Sequence, residues 1–161
     1  MKRLMAGIMK ADVFLYAIAG SVLALMIILT LFDVILRNFG HPITGSMEII
    51  QYGGSIVFGF SIPYATWLKA QVAVDLLLKK LNPNNENIIN IITRIAGILL
   101  FLFISYNFFM YALDVKHTGE VTASFRIPYY PFVYGLSLSF LFQALTVLCD
   151  LIVTIKGGEN E

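Results

Sequence analysis

Charged residues are scarce in this sequence: they make up 13% of its 161 residues, whereas 58% are hydrophobic. Soluble domains carry about a quarter charged residues, so this composition argues against a soluble globular protein. With 11 Lys and Arg against 10 Asp and Glu, the chain also lacks the basic surplus that nucleic-acid-binding proteins show. We therefore expect a membrane protein that contacts membrane lipids and binds no nucleic acid.

Cysteine and histidine are nearly absent, which excludes several classes of cofactor protein. The single Cys149 cannot form an internal disulfide and has no second cysteine for a metal or redox motif. His41 and His117 fall between the apolar segments, whereas haem held between membrane helices needs histidines at the depth of the bilayer. No phosphate-binding glycine loop or group of nucleophile, base and orienting residue occurs either. We predict no cofactor, no metal site and no enzymatic activity.

Four long runs without any charge are the main feature that the sequence does contain. They cover residues 13–32, 49–68, 95–113 and 127–149, and each has 19 residues or more. About 20 apolar residues in a helix cross the hydrocarbon core of a bilayer. We therefore predict an all-α membrane protein that forms a single domain, residues 1–161, with four transmembrane helices.

Lys and Arg are unequally distributed among the segments that connect these runs. With a cytoplasmic N-terminus, eight of the 11 lie on the cytoplasmic side and three, Arg37, Lys116 and Arg126, lie on the opposite side. Cytoplasmic loops of membrane proteins carry an excess of Lys and Arg. The sequence thus predicts that both termini are cytoplasmic.

The segment between the second and third runs has the pattern of an amphipathic helix. Polar residues recur there at every fourth position, namely Gln71, Asp75 and Lys79, and apolar residues occupy the other face. This pattern predicts a short helix that lies in the inner membrane interface and contacts lipid headgroups. The alternative is a continuation of the second transmembrane helix.

Charged and polar residues flank the connection between the first and second runs. Asp33 and Arg37 are four residues apart with the acid first, which is the favourable order for an ion pair on a helix. Ser46 can cap the second helix, and Glu48 then lies in its first turn, where the helix dipole favours an acid. Solvated helix ends and a cap are the simple interpretation of these residues.

Small and uncharged polar residues form a stripe on the fourth run. The stripe consists of Gly135, Ser139, Gln143, Thr146 and Asp150, at spacings of four, four, three and four residues. Residues with this spacing share one face of a helix. Such faces are typical of contacts between membrane helices, because small residues let two backbones approach.

The second run carries similar residues, and Ser55 and Gly59 are the candidates there. Pro63 removes one helical hydrogen bond and leaves the carbonyl of Gly59 free. The candidate interface residues are thus Ser55, Gly59, Gly135, Ser139 and Gln143. The sequence leaves open whether they pack within this bundle or against a second membrane protein.

Asp, Glu, Lys and Arg all lie at or beyond the ends of the four runs, so the sequence predicts no buried charge. Proteins that couple transport to ions or protons by themselves usually carry ionisable groups within the membrane. The sequence therefore argues against a transporter that works by itself. A membrane-anchor or assembly subunit of a respiratory or other membrane enzyme complex is an alternative, although ligand histidines at depth are missing.

Asp33 to Arg37 follow the first run, Pro42 lies in the loop after them, and Glu48 precedes the second run. This order resembles the small membrane subunit, of the DctQ type, of tripartite ATP-independent periplasmic (TRAP) transporters, in which an Arg ends the first span, a Pro-containing loop follows and a Glu opens the second span. Further matches are Gly59 in the second span, the segment 69–75 that leads to an Asp, and Ile127-Pro128 before the fourth span. Gly45 and Gln71 depart from the family, which often has Trp and His there.

The resemblance implies a scaffold in the bacterial inner membrane for a large multi-span subunit that carries substrate and sodium. It also implies a periplasmic binding protein that captures an organic acid, of the dicarboxylate or sialic acid type, and delivers it. That protein would dock on the outer side, where the docking candidates are Arg37, Glu48, Lys116 and Arg126. The alternative is that these charges are only solvated helix ends.

Overall fold

The computed structural model describes residues 2–68 and 83–155, which form four α-helices. These are α1 (Lys2–Asn38), α2 (Ser46–Trp67), α3 (Pro83–Thr118) and α4 (Tyr130–Ile155). The described residues contain no strand, only an isolated bridge between Val121 and Pro128 in the α3–α4 connection. The prediction of an all-α fold is confirmed for this part of the chain. The predicted interfacial helix falls on residues 69–82, outside the described residues.

The helices do not share the bounds of the four apolar runs. α1 and α3 begin well before residues 13 and 95, because polar residues can continue a helix beyond the apolar part. α4 begins at Tyr130 rather than at Ile127, since Ile127 belongs to the preceding loop. There the backbone N–H of Ile127 donates to the Thr122 hydroxyl at 2.9 Å, and its carbonyl accepts from the N–H of Thr122 at 2.9 Å.

Three helical stretches among the described residues are long and apolar enough to cross a membrane: Met5–Asn38, Ile89–Thr118 and Tyr130–Thr154. α2 is 22 residues long, which is enough for a crossing. It is not among the three, however, and it contains glycines, serines and Gln51, which lower its hydropathy. The helices are therefore those of a membrane protein, and the fourth crossing is still a prediction.

α4 is the central helix, because it contacts each of the other three. It packs extensively along α3, less along α2 and least against α1, while α1 packs along α2. In the most apolar window of α4, 44% of residues are buried inside the chain, against 11% for α1 and 6% for α3. α1 and α3 instead expose large apolar side chains such as Leu25 and Phe103. Lipid hydrocarbon covers such surfaces at no hydrophobic cost.

The antiparallel helices give the bundle two ends, which we name after an aspartate at each. At the Asp33 end, the α1–α2 and α3–α4 connections meet, since Glu48 accepts hydrogen bonds from Ser124. At the Asp12 end, Asp12 of α1 contacts Trp67 of α2 and Thr146 of α4. The site described next runs from the middle of the bundle to the Asp12 end.

Candidate functional site

Three buried polar side chains of α4 make hydrogen bonds to α1 and α2 along one face, and we call this face the α4 seam. Its members are Ser139, Gln143 and Thr146, which are 0%, 0% and 1% exposed. They are spaced by four and three residues, so one face of the helix carries all three. The seam is the part of the predicted stripe that lies inside the chain.

Ser139 bonds to a backbone group that a proline leaves free. Its hydroxyl donates to the carbonyl oxygen of Gly59 at 2.6 Å. Pro63, four residues after Gly59 on α2, has no N–H for that carbonyl, and Pro63 is itself fully buried. The hydroxyl on α4 therefore replaces the missing helical donor. The free carbonyl is predictable from Pro63, but its partner on α4 is not.

Two glycines bring α2 and α4 close together around this hydrogen bond. A Cβ atom at Gly59 would overlap the side chain of Leu136. At Gly135 a Cβ atom would lie 3.2 Å from Cζ of Phe60, which is tighter than ordinary contact. The structure thus places Gly59, Gly135 and Ser139 in one contact between α2 and α4.

Gln143 continues the seam one turn further along α4. Its amide nitrogen donates to the hydroxyl of Thr66 at 2.9 Å. The Thr66 hydroxyl also lies 3.2 Å from the carbonyl oxygen of Ile62, to which it can donate. The buried amide therefore bonds to α2, as the Ser139 hydroxyl does.

Thr146 ends the seam in what we call the Asp12 cluster: Asp12, Trp67 and Thr146. The Thr146 hydroxyl donates to Oδ2 of Asp12 at 2.6 Å, and the indole N–H of Trp67 donates to the same oxygen at 2.7 Å. Asp12 is 0% exposed. One carboxyl oxygen therefore joins α1 to both α2 and α4.

The expectation that no ionisable side chain is buried is wrong for Asp12 and Asp33, which are 0% and 5% exposed. Asp12 is buried because α1 continues before the apolar run and keeps packing against its neighbours. Its buried neighbours along α1 are Ile8, Leu15 and Ala19. The resulting spacing of four, three and four residues marks one helix face, and this was the signal in the sequence that could have located Asp12.

The other contacts of α4 are made with α3. Ser105 and Ser137 each donate a hydroxyl proton to the carbonyl oxygen of the other, both at 2.9 Å. Arg94 lies 3.2 Å from a carboxyl oxygen of Asp150, the last residue of the predicted stripe. The serine pair has no spacing pattern of its own, so nothing in the sequence indicates it.

Ser55 is the one interface candidate that lies away from the others. Its side chain is exposed, and its hydroxyl donates to the carbonyl oxygen of Gln51 at 3.0 Å within the same helix. The structure therefore does not bring Ser55 together with Gly59 and the seam.

At the Asp33 end, the carboxylate of Asp33 links the end of α1 to the loop that follows. Arg37 donates to its Oδ2 at 2.8 Å, so the predicted pair forms, and the backbone N–H of Ile43 donates to its Oδ1 at 2.9 Å. Both carboxylate oxygens therefore have donors. The side chain of Arg37 is still 55% exposed, so its outer face stays accessible.

The prediction that Ser46 caps α2 is wrong. Gly45 occupies the N-cap position with φ +82°, there is no side-chain cap, and Ser46 is the first helical residue and is buried. Only glycine adopts this left-handed conformation readily. A Cβ atom at Gly45 would also overlap the ring of Phe125. Glycine therefore fits this position on two counts, since its backbone is left-handed and Phe125 fills the adjacent space.

Glu48 connects the two loops of the Asp33 end. Its Oε1 accepts from the backbone N–H of Ser124 at 2.9 Å and from the Ser124 hydroxyl at 3.0 Å. Arg126 follows two residues later with φ +52°, and both Arg126 and Lys116 are exposed. The ion pairs among the described residues are Arg37 with Asp33 and Arg94 with Asp150. All four docking candidates thus share one end, and Lys116 and Arg126 form no ion pair within the described residues.

This bundle exposes apolar side chains on its outer helices, and its buried polar groups form hydrogen bonds to one another inside. These features are those of a helical membrane protein. In its described part, no group of three or more His, Cys, Asp or Glu side chains could hold a metal ion.

The family model for tripartite ATP-independent periplasmic transporters, DctQ component, matches residues 26–157. Because this match covers well over half of the sequence, the chain belongs to the DctQ family, as its motifs predict. It is a small membrane subunit of a TRAP transporter, and the family is a transporter component rather than an enzyme family. No curated protein and no solved structure matched the chain.

Proposed function

We propose that this chain is the scaffold of a sodium-coupled, binding-protein-dependent secondary transporter for an organic acid, such as a dicarboxylate or a sialic acid. In this role it supports a large multi-span subunit, which carries substrate and sodium. A periplasmic substrate-binding protein delivers the organic acid to the complex. The proposal extends the family assignment to the part that this chain plays.

One observation carries the scaffold role: the α4 seam bonds to groups of the same chain. Ser139, Gln143 and Thr146 bond to Gly59, Thr66 and Asp12 on α2 and α1. A pathway for an organic acid needs polar groups that face a water-filled cavity. Buried groups that already bond to one another instead hold helices in fixed positions. This favours a supporting role, with solute moving through the large subunit.

The same contacts explain how α2 could form the fourth crossing. The carbonyl that Pro63 leaves free and the hydroxyl of Thr66 both bond to α4. Backbone and polar groups cost little in the membrane when they bond to neighbouring helices. We propose four crossings in the bacterial inner membrane, with both termini in the cytoplasm and the Asp33 end in the periplasm.

The exposed charges of the Asp33 end suit the docking of the binding protein. Lys116 and Arg126 are exposed and form no ion pair in the described part of the chain, while Arg37 keeps an exposed side. Charges at the rim of an interface speed encounter more than they strengthen binding, which suits a partner that must bind and leave. Glu48 is better explained as a link to Ser124.

Co-purification tests the scaffold role. The tagged chain is co-expressed with the large TRAP transporter subunit of the same organism, and the membrane extract is purified on the tag. We expect a stable complex of the two proteins. A chain that purifies alone from membranes containing both would contradict the proposal.

Reporter fusions test the topology separately. Fusions between residues 39 and 46 should report the periplasm, and fusions after residue 82 or at the C-terminus should report the cytoplasm. A periplasmic signal from residue 84 would contradict the four-crossing arrangement but not the family assignment.

A further inference from the structure

The two oxygens of the Asp12 carboxyl group have different surroundings. Oδ2 accepts hydrogen bonds from Trp67 at 2.7 Å and from Thr146 at 2.6 Å. Oδ1 is buried and has no hydrogen-bond partner. Asp33 differs, since each of its oxygens has a donor.

The described side chains around Asp12 supply no positive charge. The ion pairs in the described part of the chain join Arg37 to Asp33 and Arg94 to Asp150. On α2 the neighbour is the indole of Trp67, and on α4 it is the Thr146 hydroxyl, with the buried thiol of Cys149 one turn further on. The indole N–H is a donor without charge. An ionised Asp12 would thus be buried without a counter-ion among these groups.

An ionised carboxylate shares its charge between both oxygens, and each then needs a donor when it is buried. A neutral carboxylic acid has unequal oxygens: the carbonyl oxygen accepts hydrogen bonds well, and the hydroxyl oxygen holds the proton. The arrangement at Asp12 has this asymmetry, because both donors converge on Oδ2. Protonation at Oδ1 therefore removes the uncompensated charge and keeps both observed hydrogen bonds.

We propose that Asp12 is a proton-binding site and is a neutral carboxylic acid in the folded protein, with its proton on Oδ1. The proton comes from water as α1 packs against α2 and α4. Asp12 itself lies before the segment that matches the DctQ family, which begins at residue 26, whereas its donors Trp67 and Thr146 lie within that segment. The proposal rests on these contacts and on no step of the proposed transport.

A protonated Asp12 makes the Asp12→Asn variant conservative. The amide has the shape and the neutral charge of the acid, and its oxygen can accept from Trp67 and Thr146 as Oδ2 does. The Asp12→Leu variant removes the oxygen that accepts from both Trp67 and Thr146. If Asp12 were ionised against a cation, the two variants would both disrupt the cluster.

Infrared spectroscopy of the purified protein at neutral pH tests the proposal. A protonated carboxyl group has a carbonyl stretching band that is separate from the bands of ionised carboxylates. We expect this band in the wild-type protein and its loss in Asp12→Asn. Asp150→Asn is the matched control, because Asp150 lies at the same end but is paired with Arg94, and it should leave the band in place. A difference spectrum that shows no such band for Asp12 would overturn the proposal.

Fluorescence gives a second, independent readout, because Trp67 is the only tryptophan of the chain. We expect Asp12→Asn to keep the wild-type emission and Asp12→Leu to shift it. An Asp12→Asn protein that shifts as far as Asp12→Leu, or that fails to fold, would contradict a neutral acid at this position. The Trp67→Phe variant should keep the infrared band but raise its frequency, since the carbonyl oxygen then loses one donor.

Discussion

The α4 seam and the Asp33 end use polar residues in opposite ways. In the seam, Ser139, Gln143 and Thr146 are buried and bond to α1 and α2. At the Asp33 end, Arg37, Lys116 and Arg126 are exposed, and only Arg37 among them pairs with an acid in the described residues. The seam therefore holds helices together, whereas the Asp33 end keeps charges accessible.

This difference predicts two kinds of mutant phenotype. Changes in the seam should lower the stability of the bundle, and with it the yield of any complex. Changes of exposed charge at the Asp33 end should leave folding intact and alter only the encounter with a soluble partner. A seam mutation that leaves the bundle stable, or a change of exposed charge at the Asp33 end that unfolds it, would contradict this difference between the two regions.

The largest effect should come from Gly59→Leu. Leu136 already occupies the place of a Cβ at Gly59, so the new side chain must push α2 and α4 apart. Overpacking of this kind typically costs about 1–3 kcal/mol. We expect a lower thermal midpoint in detergent and a lower yield of complex. Ser55→Leu is the control on the exposed side of α2 and should change neither value by much.

Ser139→Ala should have a smaller effect, because it removes one hydrogen bond. The Gly59 carbonyl then loses its donor, and such losses between membrane helices average about 0.6 kcal/mol. A double-mutant cycle with Pro63→Ala, measured by unfolding, sharpens the test. Alanine at position 63 supplies an N–H that can reach the Gly59 carbonyl, so Ser139→Ala should cost less in that background. An equal cost in both backgrounds would show that the hydroxyl does not replace the missing helical donor.

Arg126→Glu should have the smallest effect on folding, because exposed charges contribute about 0–1 kcal/mol. In the reconstituted transporter we expect weaker apparent affinity for the loaded binding protein, and the defect should depend on salt. Arg3→Glu reverses an exposed charge at the other end of α1 and is the control. Normal uptake by an assembled Arg126→Glu complex would mean that this charge is only a solvated loop residue.

The features that the sequence predicted well depend on local patterns. The all-α fold follows from apolar runs, the Asp33–Arg37 pair from a spacing of four residues, and the free Gly59 carbonyl from Pro63. The features that it missed depend on which helix faces which. Asp12 was not singled out, because its burial requires α1 to pack against Trp67 and Thr146.

The start of α2 shows the same limit at a loop. Serine is a residue type that often caps helices, yet Gly45 rather than Ser46 takes the N-cap position, with φ +82°. Phe125, from a distant loop, packs against Gly45. Local propensity alone cannot include such a contact. Conversely, the family motifs could be recognised from the sequence, because their order along the chain does not depend on how the helices pack.

Sodium-driven uptake into proteoliposomes tests the scaffold role most directly. Four preparations are compared: this chain alone, this chain with the large subunit, the large subunit with the loaded binding protein, and both subunits with the loaded binding protein. We predict full organic acid uptake only in the fourth preparation, with none from the isolated chain at any sodium gradient. Uptake by the isolated chain, or full uptake by the large subunit and binding protein without this chain, would contradict the role proposed for it.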